Sequence, residues 1–360
     1  VKKIAIVLNN ISGKGGVERV VTSLSNQLYN KYHCEIHIIS LFSTNESEIF
    51  YDINSNIKVI HLGNKNLKSV RVFKQFLECN KQKYNYMLCC SVPISVLTLF
   101  SKIFGKTSTK IYAWEHSQYE HASYIIKAIR RIIYPFLDGI ITLSQHDGNI
   151  FRGYLKNVFV IPNFKPFISN QTSNYKNHTL ISVGRLSYEK GFDMLIDAFN
   201  LIHDQIGDWK LEIYGEGKEY DALSEKIKLY GLEDKIFLKT FTSNIMEKYL
   251  NASIFICSSR SESFSMVIIE AMECGLPCIS FNCKIGPQEI ISDGIDGFLV
   301  DCFDIEELAN KIKLLINDYT LRMNMGVNAK KKAKQYDVEV IMHHWEKILG
   351  LEKQDGEKKA

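Results

Sequence analysis

This chain of 360 residues predicts two α/β domains, each a doubly wound parallel sheet, joined by a short linker. Three observations carry that expectation. Short apolar runs alternate with helical patterns along almost the whole chain, as strands alternate with crossover helices. The alternation breaks once, where Pro162 to His178 holds two prolines and turns polar from Ser169 to Asn174. The length is large for one domain and natural for two.

In the first half, the strand candidates are Ile4–Leu8, Glu35–Leu41, Lys58–Leu62, Tyr86–Cys90, Ile111–Trp114, Gly139–Leu143 and Val158–Ile161. Helices are expected at Gly16–Lys31, Lys68–Lys83 and Ala122–Phe136. A second set begins with the strand Thr179–Val183 and the helix Phe192–Ile206. It continues with strand Lys210–Tyr214, helix Ala222–Tyr230, strand Ile236–Leu238, helix Asn244–Leu250 and strand Ala252–Cys257. Then come helix Met266–Cys274, strands Cys278–Phe281 and Gly297–Val300, and helix Ile305–Asn317. The tail Tyr319–Leu349 reads as fully helical. Its apolar stripe of Val338, Ile341, Trp345, Ile348 and Leu349 follows a complete second domain, so it is expected to cross back to the first. The expected division is 1–165 with 335–360, a linker at 166–178, and 179–334.

Composition is that of an ordinary globular protein, with 46% hydrophobic and 23% charged residues. No apolar run approaches the roughly 18 residues of a membrane span. Val1 to Leu8 reads as a first buried strand, being too short for a secretory leader. The nine cysteines form no regular framework and sit mostly in apolar runs, which suits reduced thiols in the cytoplasm. No zinc-ligand spacing occurs. Charge is uneven. Residues 1–165 hold 21 Lys and Arg against 10 Asp and Glu, and the remainder 23 against 30. A basic first half suggests an anionic partner. The basic amphipathic helices carrying Lys68, Arg71, Lys74, Lys81 and Lys83, and Lys127, Arg130 and Arg131, point to an anionic membrane surface. Nucleic acid is not expected, because no stacking platform or binding module is present.

Candidate site residues lie in the turns between strands and helices. Glu262 sits on a Ser-rich loop after a strand, and Glu270 lies eight positions on, within a helix. If that helix begins near Phe264, the two carboxylates lie a little over two turns apart and suit a polyhydroxylated ligand such as a nucleotide sugar. Arg185 and Lys190 flank a turn into a helix, where cations would stabilise a leaving diphosphate. Gly13-Lys14-Gly15-Gly16 opens the first helix and would let backbone N–H groups approach a phosphate. Tyr214-Gly215-Glu216-Gly217 is a second such loop, for which a plain strand-to-helix turn is the simpler reading. Neither completes a dinucleotide fingerprint, since Glu18 and Tyr220 stand where a third glycine belongs, which argues against an NAD-dependent oxidoreductase. His116 closes the strand Ile111–Trp114 and would reach a sugar hydroxyl or help a phosphate.

These motifs, in this order, resemble the retaining glycosyltransferases with two Rossmann-like domains facing across a cleft, the GT-B fold, often called family 4. The resemblance rests on Val183-Gly184-Arg185-Leu186, Lys190-Gly191-Phe192, Ser259-Arg260-Ser261-Glu262 through Glu270-Ala271-Met272, Gly275-Leu276-Pro277 and Gly286-Pro287. Asp296-Gly297-Phe298, Gly15-Gly16-Val17-Glu18-Arg19 and Trp114-Glu115-His116 add to it. Trp114-Glu115-His116 and Phe281-Asn282-Cys283-Lys284-Ile285-Gly286-Pro287 resemble the galactosyl- and N-acetylgalactosaminyltransferase branch of bacterial surface-polysaccharide assembly.

The resemblance implies a UDP-sugar donor and a glycan or lipid-linked glycan acceptor, with neither metal nor cofactor. It implies diphosphate binding by Arg185 and Lys190, and ribose binding by Glu270. Glu262 would contact the donor sugar, with backbone groups of Ser263, Phe264, Ser265 and Met266 near it. Gly15 and Gly16 would close on the diphosphate, Gly215 would lie by the nucleotide, and His116 would approach the sugar or acceptor. A nucleotide-sugar epimerase on the same fold is the alternative. The expected location is cytoplasmic, peripheral on the inner face of the membrane.

Overall fold

In the first unit, apolar runs such as Ile4 to Leu8 are buried on both faces, as strands inside a covered parallel sheet must be. The computed structural model describes residues 1–44, 48–63, 67–80, 83–105, 107–283 and 285–351. Two units emerge, Val1–Asn163 with Glu339–Ala360, and Phe164–Val338. The first holds strands β1 (Lys3–Leu8), β2 (Glu35–Ser40), β3 (Lys58–His61), β4 (Tyr86–Cys89), β5 (Lys110–Trp114), β6 (Gly139–Thr142) and β7 (Val158–Val160). Their order is β3-β2-β1-β4-β5-β6-β7, and all pairings are parallel. Helices α1 (Gly16–Tyr32), α2 (Leu67–Cys79), α3 (Val92–Gly105), α4 (Tyr124–Ile133) and α5 (Gln145–Arg152) connect them. Two of these, α3 and α5, fall outside the helices predicted. Helix α3 is apolar almost all round, so it offers no stripe to read, and α5 is short.

The second unit repeats the plan with β8 (Thr179–Val183), β9 (Lys210–Tyr214), β10 (Ile236–Lys239), β11 (Ile254–Cys257), β12 (Cys278–Phe281) and β13 (Gly297–Val300). Their order is β10-β9-β8-β11-β12-β13, again all parallel. Helices α6 (Phe192–Asn200), α7 (Tyr220–Leu229), α8 (Ile245–Leu250), α9 (Met266–Glu273), α10 (Pro287–Ile290), α11 (Ile305–Asn317) and α12 (Tyr319–Ala333) cover both faces. Side-chain alternation along the strands divides the core in two. Leu180, Ile254 and Ile256 enter one cluster, while Ile181, Phe255 and Cys257 enter the other.

The segment expected as a linker, 166–178, is instead pinned to the second unit. The Ser169 amide donates to Glu273 Oε1 at 2.8 Å, and the Ser173 amide to the Cys274 carbonyl at 2.9 Å. Tyr175 is buried with φ at 57°. Polar composition suggested solvent here, but the polar atoms meet buried partners in the second unit. The tail is not one helix either. It breaks at Asp337, in extended conformation, after a 3₁₀ turn at Lys334–Tyr336. Helix α13 (Val338–Leu349) then joins the first unit, where Trp345 meets Trp114 edge to face at 5.1 Å. Lys2 Nζ donates to the Leu349 carbonyl at 2.9 Å.

The chain enters the second unit at Phe164 and leaves it at Val338. One buried ion cluster holds both places. Lys165 Nζ lies 2.6 Å from Glu273 Oε2 and 2.5 Å from Asp337 Oδ1, with the lysine and Glu273 side chains each 4% exposed. Burial presses the Lys165 pKa down, but Asp337 and Glu273 more than reverse this, and it stands above the ordinary lysine value. That stabilisation is present below the ordinary lysine pKa and is lost only as pH rises through the raised one. Lys165→Met should therefore destabilise the protein by about 3–5 kcal/mol at neutral pH, because the buried Glu273 carboxylate is left without its cation and the partly exposed Asp337 loses the same partner. Equilibrium urea unfolding measures this, and Glu273→Gln with Asp337→Asn in the same variant should restore much of the loss. An unchanged midpoint for Lys165→Met would show that the cluster contributes nothing.

Candidate active site

Strand order reverses direction once in each sheet, and open parallel sheets bind ligands outside the carboxyl ends of the strands at that reversal. In the second unit the reversal lies between β8 and β11. The turn after β8 carries Gly184 to Gly191, and the turn after β11 carries Ser258 to Ser265. Arg185, Lys190 and Glu262 thus leave the two strands that flank the reversal.

The two turns are stitched together by backbone and side chains. Gly191 adopts φ of 63°, and a Cβ there would stand 2.1 Å from the Ser258 carbonyl oxygen. The Arg260 amide donates to the Glu189 carbonyl at 2.8 Å, and its guanidinium grips both Asp193 oxygens at 2.8 and 2.7 Å. The same guanidinium lies 4.0 Å from the centre of the Tyr188 ring. Sequence gives Arg260 no role, because its acceptors lie on the other turn and on the helix that follows it. Held this way, Lys190 Nζ meets Glu262 Oε1 at 2.5 Å, and the Ser259 hydroxyl donates to the same oxygen at 2.7 Å. Burial presses Lys190 toward neutrality, but Glu262 and then Cys257 outweigh it, and its pKa is raised. Lys190 is therefore a held cation, while Arg185 is exposed. Gly286, with φ of 91°, passes so close that a Cβ would lie 2.9 Å from the Glu262 carbonyl oxygen.

Helix α9 starts at Met266, as its apolar run predicts and not near Phe264, so Glu262 lies on the turn before it. Ser265 is its N-cap but makes no side-chain cap hydrogen bond, and Ser263 and Phe264 precede it on the turn. Phe264 packs edge to face on Tyr336 at 5.8 Å. Glu270 is buried in the helix, and the Tyr249 hydroxyl donates to its Oε2 at 3.2 Å. The loop around Gly215 has a structural reason for its glycines. A Cβ on Gly215 would stand 1.8 Å from the Gly184 oxygen, and one on Gly217 2.1 Å from the Leu186 oxygen. The turns after β8 and β9 are in backbone contact.

In the first unit the reversal lies between β1 and β4. Gly15 caps α1 just beyond β1, and a Cβ on Gly16 would meet nothing within 4 Å. The fold itself does not require that glycine, so the space beside it is open. His116 follows β5 and rests against Trp114, ring centres 4.5 Å apart, with its Nε2 buried and without a hydrogen-bond partner. Burial pushes its pKa down to about 3. The ring is neutral at ordinary pH.

The basic set on α4 is smaller than its sequence implies. Arg130 is 1% exposed and binds Glu115, which also accepts from Tyr134. Its guanidinium lies between the Tyr119 and Phe151 rings, at 5.5 and 5.8 Å. A buried charge has to be paired, so Arg130 belongs to the core and not to a membrane-facing set. In the other helix, Lys81 and the Lys68 side chain lie outside the described residues, as does Lys284. Among the described residues no group of three or more His, Cys, Asp or Glu converges, and no helix is long and apolar enough to cross a membrane.

Two parallel doubly wound units, with the last helix returning to the first, define the GT-B architecture. A Staphylococcus aureus TarM structure, in complex with fondaparinux, α-GlcNAc-glycerol and UDP, superposes with a TM-score of 0.83 at 17% identity, covering 97% of this chain and 100% of that one. A family profile described as glycosyl transferases group 1 matches residues 164–332. The amylovoran biosynthesis glycosyltransferase AmsD of Erwinia amylovora is 32% identical over 361 residues, 96% of this chain and 99% of that protein. A Campylobacter jejuni α-1,4-N-acetyl-D-galactosaminyltransferase, whose name gives a diNAcBac-PP-undecaprenol-linked GalNAc disaccharide, is 27% identical over 96% of this chain and 98% of its own length. The chain belongs to the group 1 glycosyl transferases, and it is a glycosyltransferase of glycan assembly.

The neutral, half-buried His116 has a pH signature. Its folded pKa lies below the unfolded value of about 6.5, so the folded state binds fewer protons between the two. Stability should be fully present above pH 6.5 or so and decline as pH falls toward the folded value. His116→Phe should flatten that part of the acid limb, read by urea unfolding at a series of pH values. An NMR titration of His116 with a midpoint near the unperturbed value would contradict this.

Proposed function

We propose that the chain moves a hexose or N-acetylhexosamine from a UDP-sugar to a lipid-linked or polysaccharide acceptor, retaining anomeric configuration, as a family 4 enzyme. The observation that carries this reading is the Lys190–Glu262 pair beside the sheet reversal of the second unit. In a donor complex, Arg185 and Lys190 neutralise the diphosphate, and their attraction grows as charge develops on the leaving oxygen. Lys190 is already held in place by Glu262, so little side-chain freedom is lost when it turns to phosphate. Glu262 then accepts from hydroxyls of the transferred sugar. Glu270 accepts from the ribose hydroxyls, steadied by Tyr249.

The N-terminus of α9, with Ser263, Phe264, Ser265 and Met266, directs backbone N–H groups toward the anionic donor. Gly15 and Gly16 leave room beside α1 for the diphosphate. Neutral His116 binds a hydroxyl of the sugar or acceptor. Gly215 lets the turn after β9 approach the nucleotide side. The reading involves no metal, cofactor or nucleic acid, and it places the enzyme in the cytoplasm, peripheral on an anionic inner membrane face. The relatives named above are transferases, which favours this over a nucleotide-sugar epimerase.

UDP release from a panel of UDP-sugars, with and without glycan acceptor, tests the reaction class. Release that depends on acceptor is expected, and conversion of the sugar without UDP release would mean an epimerase. Arg185→Ala and Lys190→Ala should each raise the barrier by about 2–4 kcal/mol while the protein stays folded, as with loss of a group that binds developing negative charge. Full turnover in both variants would remove these residues from the mechanism.

A further inference from the structure

Two cysteines just beyond the ends of β12 and β13 meet. The last register partners of these parallel strands are Phe281 and Val300. Two residues further on stand Cys283 in one segment and Cys302 in the other. The Asn282 amide donates to the Val300 carbonyl at 2.6 Å, so the segments stay together past the paired residues. Neighbouring strands lie about 4.8 Å apart, within the roughly 4.4–6.8 Å that a disulfide spans between Cα atoms. Both side chains pack against the same apolar cluster, and the two thiols share a hydrogen bond. Both are free thiols.

The two differ in access. Cys283 is 3% exposed, while Cys302 is half-buried on a turn where Asp301, Phe303 and Asp304 are exposed. A small oxidant therefore reaches Cys302 first. Burial raises both thiols above the ordinary cysteine range, so reaction is slow and the pair answers sustained rather than brief oxidation.

Cys283 also touches the candidate active site. Its thiol donates to the Ser259 carbonyl at 2.9 Å, and the Ser259 hydroxyl donates to Glu262 Oε1 at 2.7 Å. Ser259 is thus held at its carbonyl by a thiol while its hydroxyl holds the Glu262 carboxylate. Gly286, three residues past Cys283, lies against the Glu262 backbone. A sulfur in a disulfide has no proton to donate.

We propose that Cys283 and Cys302 form a redox modification site whose disulfide loosens the turn carrying Glu262. The effect on turnover rests on the reading of Glu262 as a ligand of the donor sugar. The oxidant is a low-molecular-weight disulfide. Cys302, as thiolate, attacks one of its sulfurs, forms a mixed disulfide and releases one small thiolate, which takes up the proton Cys302 gave up. Cys283, as thiolate, then attacks the Cys302 sulfur and expels the second small thiolate, which is protonated in turn. Two protein thiols lose two electrons and two protons, and one small disulfide becomes two thiols. The hydrogen bond from Cys283 to Ser259 is absent from the product, and a reductant restores it.

The test uses the full chain, glutathione disulfide as the probe, and the variants Cys302→Ser and Cys283→Ser. The first changes a half-buried thiol away from the donor ligands, so its reduced activity should match the parent. The second keeps a hydroxyl that can donate to Ser259. Peptide mapping after alkylation of the remaining thiols should find Cys283 linked to Cys302 in the treated parent. Hydrogen exchange across residues 258–265 should quicken in the treated parent and stay unchanged in treated Cys302→Ser. Donor KM, read from UDP release, should rise about threefold to tenfold on oxidation, as for loss of a buried hydrogen bond, and return with dithiothreitol. Absence of the link, with Cys302 only glutathionylated or joined to another cysteine, would overturn the proposal. So would equal losses in parent and both variants, or a linked parent whose exchange and KM match those of the reduced protein. Linkage with quickened exchange, but no UDP release from the reduced parent, would keep the thiol site and remove the transferase reading. Acceptor-dependent release without the link would do the reverse.

Discussion

A parallel sheet wound outward from its middle must leave two adjacent strands whose connections depart in opposite directions, and this constraint governs the rest of the molecule. At that place no crossover helix covers the strand ends, so the turns there are free to carry side chains toward a ligand. In the second unit the turns after β8 and β11 occupy it. Arg260 joins the two turns through Asp193 and the Tyr188 and Glu189 carbonyls. The Lys190–Glu262 contact follows from that stitching. A cation and an anion from different strands are brought together because the sheet leaves them nowhere else to go.

Strands were legible in the sequence because buried parallel strands read as continuous apolar runs. The predicted strands lie within a residue or two of those observed, and both units wind as expected. Helix ends were less legible: the apolar pattern runs on to Ile206, while α6 stops at Asn200 and gives way to a 3₁₀ turn at His203–Gln205. The candidate site was legible as residues in turns, and not as an arrangement. Lys190 and Glu262 are 72 positions apart, and only the strand order makes them neighbours. The Lys165 cluster was invisible for the same reason, since Glu273 is 108 positions away. Segment 166–178 looked like a linker because its polar groups gave no hint of their distant partners.

Charge misled where burial could not be seen. Arg130 sits at helical spacing beside Lys127 and Arg131, and sequence alone ranks the three together. Glu115, at the end of β5, separates them by taking Arg130 into the core. The surviving surface of α4 is less basic and more apolar than the pattern implied.

The return of α13 to the first unit has a consequence for how the polypeptide is made. The second unit is one uninterrupted stretch, Phe164–Val338, and it is complete before its neighbour. The first unit, although translated earlier, lacks the cover of Trp114 until Trp345 has been made. Domains ordinarily finish in the order of their synthesis. Here the order inverts, and the nascent β-sheet of the first unit is the part that a chaperone would meet.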